Sequence, residues 1–285
     1  MGAETRVEDS GSPGSAARFL ASLLEGEGLP LPGEAVVLGS GQGEAVPGAE
    51  REVEVSFEEI PGWPRAEVPG HAGTVLVADY GRKCVLFQRG RLHYYEGLTM
   101  EEVAFPVRVL ASLGVRRLLL CNAAGALNPA YEPGFLMLVR DHINLMGVNP
   151  LRGVRDADGT PAFVDLSDLY DAGCGDFLLG KAQAEGWPLV EGVLVAVSGP
   201  SYETGAELRF LRLIGGDAVS MSLVPEALYA RHLGMRVNGV SVITNIWDLR
   251  RPHPVSHEEV LRTASSAVPA LRDIIRSWLE YEASP

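Results

Sequence analysis

The chain has 285 residues, and its 37 acidic residues against 24 Lys and Arg give a formal net charge of −13. Nucleic-acid-binding proteins carry basic faces that neutralise phosphates, so this charge argues against DNA, RNA or an anionic membrane as the main partner. Hydrophobic residues make up 46% of the chain, which is typical of a globular protein and not of a disordered one.

The start of the chain predicts a tail rather than a leader peptide. Residues 1–18 contain no apolar block of the kind that begins a signal peptide or a membrane anchor. We therefore expect a cytoplasmic protein with a disordered acidic tail at 1–14 and a single domain at 15–285. The cysteines are odd in number and widely spaced, so reduced thiols are expected at Cys84, Cys121 and Cys174.

The first half of the chain alternates helical patterns with short apolar runs. Apolar residues at helical spacing predict a first helix over 15–26, and a capping box of Thr99 with Glu102 predicts the start of another. Turn residues bound the apolar or alternating runs, which predicts strands at 35–38, 53–57, 74–78, 84–87 and 117–121.

The second half repeats this alternation, with strands predicted at 135–139, 193–197, 218–221 and 239–244. Helices are predicted to begin at Thr204 with Glu207, at Pro225, and at Ser256 with Glu259, the last opening one long C-terminal helix. The alternation predicts an α/β fold in which helices cover both faces of a mixed or mainly parallel sheet.

A glycine-rich turn, VVLGSGQG, follows the first predicted strand. Backbone N–H groups around Ser40 could bind a phosphate there. The dinucleotide fingerprint would need glycine at position 44, where Glu44 stands, and the Gly-Lys-Ser/Thr of a P-loop is absent. Ser40 also lacks the G-x-S-x-G context of a hydrolase nucleophile. A plain structural turn explains the glycines equally well.

Polar residues alternate after a later strand, in RGRLHYYEG. An extended backbone would point Arg91, His93 and Tyr95 to one face, where Arg and His suit an oxyanion. A solvated strand end is the alternative. Glu96 could orient His93 or could be a surface charge.

Two further segments also suggest a site. The small residues of CNAAGALN at 121–128 end a buried strand, where ligands collect in α/β sheets, although tight packing would also explain them. In GPSYETGAE, Tyr202 and Glu203 precede a capped helix and could supply a stacking face and a carboxylate. Glu203 alone could equally be a surface charge. The histidines have no metal-ligand spacing, so no metal site is predicted.

Nine segments occur in a recognisable order over about residues 35–278. They are LGSGQG, FEEIPGWPRAEVPGHAG, RGRLHYYEG, FPVRVLASLGV, CNAAGALNPAYEPG, RDHINLMGVNPLRG, GPSYETGAE, GGDAVSMSLVPE and ITN. Together they resemble the trimeric, low-molecular-mass purine nucleoside phosphorylases. The resemblance implies a three-layer phosphorylase fold, a homotrimer, and phosphorolysis of inosine and guanosine to purine base and (deoxy)ribose 1-phosphate in purine salvage. Phosphate would be a co-substrate, and no cofactor is expected.

The resemblance also implies residue roles. The phosphate site maps onto Ser40, His71, Arg91, His93, the Ala123 backbone and Ser222. The nucleoside site maps onto Tyr95, Met221 and His257 around the ribose, and onto Tyr202, Glu203 and Asn245 around the base. Phe163 matches an aromatic residue that reaches into the site of a neighbouring subunit. Catalysis would depend on Asn245, Glu203 and His93.

Base choice is the open point. Glu203 can accept a hydrogen bond from N1–H, which 6-oxopurines have and adenine lacks, and Asn245 can donate to N7. The segment IWDLRRPHPVSHEEV departs from the family pattern, and Asp248 within it could instead favour 6-aminopurine nucleosides or methylthioadenosine. A nucleoside-binding protein without turnover is a further alternative, which the presence of Arg91 and His93 argues against.

Overall fold

The computed structural model describes residues 11–65, 72–247 and 256–282, which form one α/β domain. Its strands are β1 Glu34–Leu38, β2 Arg51–Ser56, β3 Thr74–Asp79, β4 Cys84–Arg89, β5 Arg117–Ala126, β6 Leu136–Asn144, β7 Leu189–Ala196, β8 Ala218–Ser220 and β9 Arg236–Ile246. Its helices are α1 Pro13–Gly26, α2 Met100–Val103, α3 Phe105–Leu113, α4 Ala172–Glu185, α5 Gly205–Leu213, α6 Val224–His232, α7 His257–Ser266 and α8 Val268–Glu280.

The strands form one mixed sheet in the order β2-β3-β4-β1-β5-β8-β7-β6-β9. Strand β1 is parallel to both β4 and β5, so these three strands end at the same edge. Strand β5 also pairs in parallel with β9, which closes β5, β8, β7, β6 and β9 into a ring. The α/β class with a mixed sheet is thus confirmed.

Helices cover both faces of the sheet because its central strands are apolar on both faces. Every residue of β1 is buried, and alternate residues point to opposite faces. Ala35 and Val37 join the core beneath α1, α3 and α6, whereas Val36 and Leu38 join the core beneath α4 and α8. The result is a three-layer domain.

The first helix begins earlier than predicted. Ser12 caps it by accepting the N–H of Ser15, and Pro13 occupies the first turn, where its missing N–H costs no helical bond. Pro13 and Gly14 therefore belong to α1 and not to the predicted tail. Residues 1–10 of that tail lie outside the described residues.

The prediction of one long C-terminal helix was wrong. Two helices, α7 and α8, meet at Ala267. Pro269 lies in the first turn of α8, and a proline there cannot continue a preceding helix, because it lacks an N–H and its ring clashes with the carbonyl four residues earlier. The other predicted helix starts hold to within one residue, since α6 begins at Val224 rather than Pro225.

Two further features of the sequence can be compared with the fold. Cys84, Cys121 and Cys174 are all buried and free. Among the helices of the described ranges, none combines the length and the apolar character needed to cross a membrane.

Candidate active site

A cavity of about 480 Å³ opens where β1, β4 and β5 end. The turn after β1, the segment after β4 and the last residues of β5 all contribute to its wall. It contains all the predicted site residues except His71 and Phe163, namely Ser40, Arg91, His93, Tyr95, Ala123, Tyr202, Glu203, Met221, Ser222, Asn245 and His257. His71 lies outside the described residues.

The turn that holds Ser40 is fixed by a buried glutamine. Gln42 Oε1 accepts the N–H of Gly39 at 2.9 Å, and the N–H of Gln42 donates back to the Gly39 carbonyl at 3.1 Å. Gly41 has a φ of +72°, and a Cβ there would lie 2.8 Å from the Leu261 carbonyl of α7. Only glycine fits this left-handed position against the helix. The glycine-rich segment VVLGSGQG therefore forms a rigid turn after β1.

Arg91 is fully buried at the floor of the cavity. Its Nη1 donates to the Cys121 carbonyl at 2.6 Å, and its Nε donates to Glu226 Oε1 at 3.1 Å. A guanidinium held at two of its nitrogens has a fixed direction, which suits it to hold an anion by its positive charge.

His93 is oriented by Glu96, and this settles the alternative left open by the sequence. Glu96 Oε1 accepts the backbone N–H of His93 at 2.8 Å and lies 3.0 Å from its Nδ1. The ring also stacks on Tyr95, with centroids 4.6 Å apart. Burial lowers the pKa of His93 despite the opposing effect of Glu96. A neutral imidazole with its proton on Nδ1 follows from this geometry.

Ser222 lies at the end of a buried hydrogen-bond chain. The Ser241 hydroxyl donates to Asn122 Oδ1 at 2.7 Å, and Asn122 Nδ2 donates to Ser220 Oγ at 2.7 Å. Ser220 Oγ lies 3.0 Å from the Ala123 carbonyl and 3.4 Å from Ser222 Oγ. The chain ties the β5 backbone to the segment after β8, so both sides of this end of the cavity have a fixed spacing.

Asn245 is held at a bulge between β5 and β9. Ala124 pairs with Ile243 but Gly125 pairs with Asn245, so Thr244 is an extra residue in β9. The Thr244 hydroxyl donates to Asn245 Oδ1 at 3.0 Å. The contact turns Asn245 Oδ1 toward Thr244, while Nδ2 lies on the side of Gly125, and both Asn245 and Gly125 line the cavity.

Glu203 and Tyr202 lie just before α5, whose capping box of Thr204 with Glu207 is present as predicted. Burial raises the pKa of Glu203, so its surroundings are less polar than those of a surface carboxylate. Tyr202 is 46% exposed at the mouth of the cavity. Met221 packs against Gly199, in the loop that leads to these residues.

The sequence analysis missed four polar or aromatic residues of this site. Ser220, Thr244 and Trp247 line the cavity, and Glu226 holds Arg91 beneath it. Proximity in the sequence could have suggested three of them, because Ser220, Thr244 and Trp247 lie within two residues of Ser222 or Asn245. Trp247 packs on the start of α5, where a Cβ at Gly205 would lie 3.0 Å from its Cζ2.

Phe163 does not line the cavity of its own chain. Its side chain is 90% exposed, in the long segment between β6 and α4. Asp248, on which the alternative base preference depends, lies outside the described residues.

Sequence comparison relates the chain to one group of enzymes. The family model described as the phosphorylase superfamily matches residues 35–280. Purine nucleoside phosphorylase 1 of Bacillus subtilis is 42% identical over 248 residues, which cover 87% of this chain and 92% of the relative. The purine nucleoside phosphorylase of Bos taurus is 44% identical over 252 residues, covering 86% of this chain and 87% of that one.

Solved structures agree with the sequences. Schistosoma mansoni purine nucleoside phosphorylase in complex with adenosine superposes with a TM-score of 0.87 at 31% identity, covering 96% of this chain and 98% of that one. Isoform 2 from the same organism, in complex with cytosine and ribose-1-phosphate, gives a TM-score of 0.86 at 33% identity over 94% and 95% of the two chains. The similarity therefore includes the sheet and its flanking helices.

Proposed function

This chain belongs to the purine nucleoside phosphorylase family of the phosphorylase superfamily, and we propose that its cleft cleaves 6-oxopurine nucleosides such as inosine and guanosine. In phosphorolysis, a phosphate oxygen bonds to C1′ of the sugar while the bond from C1′ to purine N9 breaks. The products are the free base and (deoxy)ribose 1-phosphate, as purine salvage requires. Inorganic phosphate is the co-substrate, and no further cofactor takes part.

The observation that supports this most strongly is the spacing of polar groups along β5. At its Cys121–Ala123 segment, β5 contacts Arg91 and Ser220, whereas two residues further on Gly125 contacts Asn245. A strand advances about 3.3 Å per residue, so the step from Ala123 to Gly125 is roughly 7 Å. In the displacement, C1′ of the sugar lies between the attacking phosphate and the departing purine, so a separation of this size suits a phosphate on one side of C1′ and a base on the other.

The phosphate end is an anion site in an acidic protein. Arg91 supplies fixed charge, Ser40 and Ser222 supply hydroxyl donors, and the turn after β1 supplies backbone N–H groups. With its Nδ1–H directed at Glu96, His93 presents the Nε2 lone pair, which can accept a hydrogen bond from a protonated phosphate oxygen. Phosphate held in this way lies beneath C1′ and stabilises the cation that develops on the sugar.

The base end stabilises the leaving group. As the C1′–N9 bond breaks, its electron pair moves into the purine, and Asn245 Nδ2 can donate a hydrogen bond to N7 as that charge grows. Glu203, when ionised, accepts from N1–H of a 6-oxopurine. Adenine offers no hydrogen there, so it would leave the half-buried carboxylate unpaired, and such a loss discriminates strongly between substrates.

The homotrimer is part of the same proposal. Phe163 is an aromatic residue exposed to 90%, although buried surroundings would be far more favourable for it. Insertion into the cleft of a neighbouring chain would bury it and would cover the ribose there. Three buried, free cysteines suit the reducing cytoplasm, where we expect the enzyme to act.

One assay tests the central proposal. Base release from inosine is measured with and without inorganic phosphate, and we expect steady turnover only with phosphate. Arg91→Ala should raise the KM for phosphate more than the KM for inosine. Equal rates with and without phosphate would identify a hydrolase and reject the proposal.

The same assay with guanosine, adenosine and methylthioadenosine tests base choice. We expect guanosine and inosine to be cleaved with a higher kcat/KM than the two 6-aminopurine nucleosides. Since the S. mansoni protein was solved in complex with adenosine, a related cleft can hold a 6-aminopurine nucleoside. Faster cleavage of adenosine or methylthioadenosine would favour the alternative based on Asp248.

A further inference from the structure

We propose that Glu226 is a positioning residue that joins the two halves of the phosphate site, an inference that rests on the proposed phosphorolysis. Glu226 lies in the first turn of α6 and is buried, with only 5% of its side chain exposed. It does not line the cavity. Instead, each of its two carboxylate oxygens holds a different segment that does line the cavity, one containing Arg91 and the other containing Ser222.

The first oxygen holds Arg91. Glu226 Oε1 accepts from Arg91 Nε at 3.1 Å, and the arginine side chain is wholly buried. The two residues are 135 positions apart in the chain, so this contact fastens the segment after β4 to the start of α6. Together with the Cys121 carbonyl on Nη1, it fixes the plane of the guanidinium.

The second oxygen holds the turn that follows Ser222. Glu226 Oε2 accepts the backbone N–H of Leu223 at 3.0 Å. Leu223 has a φ of +72°, which L-residues with a side chain rarely adopt, so surrounding contacts must hold it there. Because Ser222 immediately precedes Leu223, the bond also fixes the direction in which the serine leaves β8.

Only a carboxylate of this length satisfies both partners. Each partner is an N–H donor, so the side chain between them must offer two acceptors. A glutamine offers one acceptor and one donor and must lose one of the two bonds. An aspartate keeps the charge, but it is one methylene shorter and cannot reach both groups at the observed distances.

The direction in which the KM for phosphate changes when Glu226 is replaced distinguishes a positioning role from a purely electrostatic one. A negative charge behind Arg91 opposes phosphate binding by Coulomb repulsion, so its removal alone would lower the KM for phosphate. If Glu226 acts by positioning, removal frees both Arg91 and the Ser222 turn, and the KM for phosphate rises. The two roles thus predict opposite outcomes for the same substitution.

The test compares Glu226→Gln with a matched control, Glu34→Gln. Glu34 is also a largely buried carboxylate, and it holds Arg117 and Lys83 at the start of β1, away from the cavity. Wild-type phosphorolysis of inosine, measured first, tests the proposed function separately. We expect Glu226→Gln to raise the KM for phosphate about tenfold, as expected for the loss of one charge-assisted hydrogen bond, with the KM for inosine little changed. Glu34→Gln should change neither constant.

Two further measurements keep the test decisive. Phosphate raises the melting temperature of a protein that binds it, so a smaller rise in Glu226→Gln than in wild type reports phosphate affinity without turnover. In an Arg91→Ala background, Glu226→Gln should have a much smaller further effect, because the two residues act together. Glu226→Asp should raise the KM for phosphate although it keeps the charge, and it serves as the reporter if Glu226→Gln does not fold.

A KM for phosphate that falls or stays unchanged in both Glu226 variants would overturn the proposal. The proposal would also be overturned if Glu226→Gln raised the KM for phosphate by the same factor in wild type and in Arg91→Ala. An equal rise in the KM for phosphate in Glu34→Gln would overturn it as well.

Discussion

Asn245 lies against the backbone of Gly125, so closely that a Cβ at Gly125 would be 3.1 Å from Asn245 Nδ2. The contact exists because the bulge at Thr244 brings Asn245 opposite Gly125 across the pair of strands. The absence of a side chain at Gly125 is thus what allows the amide to lie where N7 of a purine would meet it.

We therefore expect Gly125→Ala to impair catalysis without unfolding the domain. The added methyl must displace the Asn245 amide by a few tenths of an ångström, and a misplaced transition-state donor costs on the order of 10- to 100-fold in kcat/KM. Gly180→Ala is the control, because Gly180 lies in α4 with no atom within 4 Å of an added Cβ. Alanine there should stabilise the helix by about 0.5–1 kcal/mol and leave kcat/KM unchanged. Equal activity of the two variants would contradict the role given to Asn245.

Glu203 predicts the acidic limb of the pH profile. The ionised carboxylate accepts from N1–H more strongly than the protonated acid does, and burial raises the pKa of Glu203 above that of an ordinary glutamate. As pH falls, kcat/KM for inosine should therefore decline earlier than an exposed carboxylate would allow. Glu203→Gln should lower kcat/KM for inosine strongly and remove this limb, while the KM for phosphate changes little. An unchanged acidic limb in Glu203→Gln would assign it to another group.

His93 predicts how stability depends on pH. Burial lowers its pKa in the folded state, the opposing influence of Glu96 notwithstanding, while the unfolded value stays near 6.5. Above pH 6.5 His93 is neutral in both the folded and the unfolded state, so it does not lower the free energy of unfolding there. As pH falls below 6.5 the unfolded chain takes up a proton first, so the free energy of unfolding decreases until the folded pKa is reached.

Denaturant unfolding at a fixed chain concentration between pH 7.5 and 5 measures this effect. We expect His93→Gln to make the decline shallower than in wild type. His142 is the matched comparison, because burial also lowers its pKa, and His142→Gln should flatten the same window without impairing turnover. Identical slopes for wild type and His93→Gln would show that the pKa of His93 does not differ between the folded and unfolded states, and would contradict this prediction.

The strands and most helix starts were predictable because they follow from local patterns, whereas the order of the strands in the sheet was not predicted. Strands such as β1 and β4 are short apolar runs between turn residues, and helices such as α5 begin at capping boxes of Thr with Glu. The break between α7 and α8 was missed although its cause, Pro269, stands in the sequence. The regular pattern of apolar residues on either side concealed a single residue that a helix accommodates only in its first turn.

The site was predictable only in part: residues in local motifs could be predicted, but contacts set by tertiary packing and strand register could not. Ser40, Arg91 and Asn245 belong to segments with a recognisable order, so their presence in one cavity could be predicted. The contact of Arg91 with Glu226 joins residues 135 positions apart and depends on how α6 packs against β5 and β9. The donor orientation of Asn245 depends on one extra residue in β9. Neither the packing nor the register is encoded in a local pattern.

Phe163 provides a test of assembly. It is 90% exposed in its own chain and does not line its own cavity, so its loss should leave the fold and the phosphate site intact. If it covers the ribose in a neighbouring cleft, Phe163→Ala should raise the KM for inosine by about tenfold, as expected when an aromatic contact is lost. Leu213→Ala is the control, since Leu213 is likewise 85% exposed but lies on α5.

Complementation between two defective chains tests the same idea more sharply. An Arg91→Ala chain has a defective cleft but an intact Phe163, and a Phe163→Ala chain has an intact cleft but no aromatic residue to offer. Co-expressed as mixed trimers, the first chain should supply Phe163 to the cleft of the second, and inosine cleavage at low substrate concentration should exceed the sum of the separate activities. Sedimentation of each preparation establishes that trimers are present. Activity equal to that sum in mixed trimers, or an active monomer at high dilution, would show that each cleft is complete within one chain.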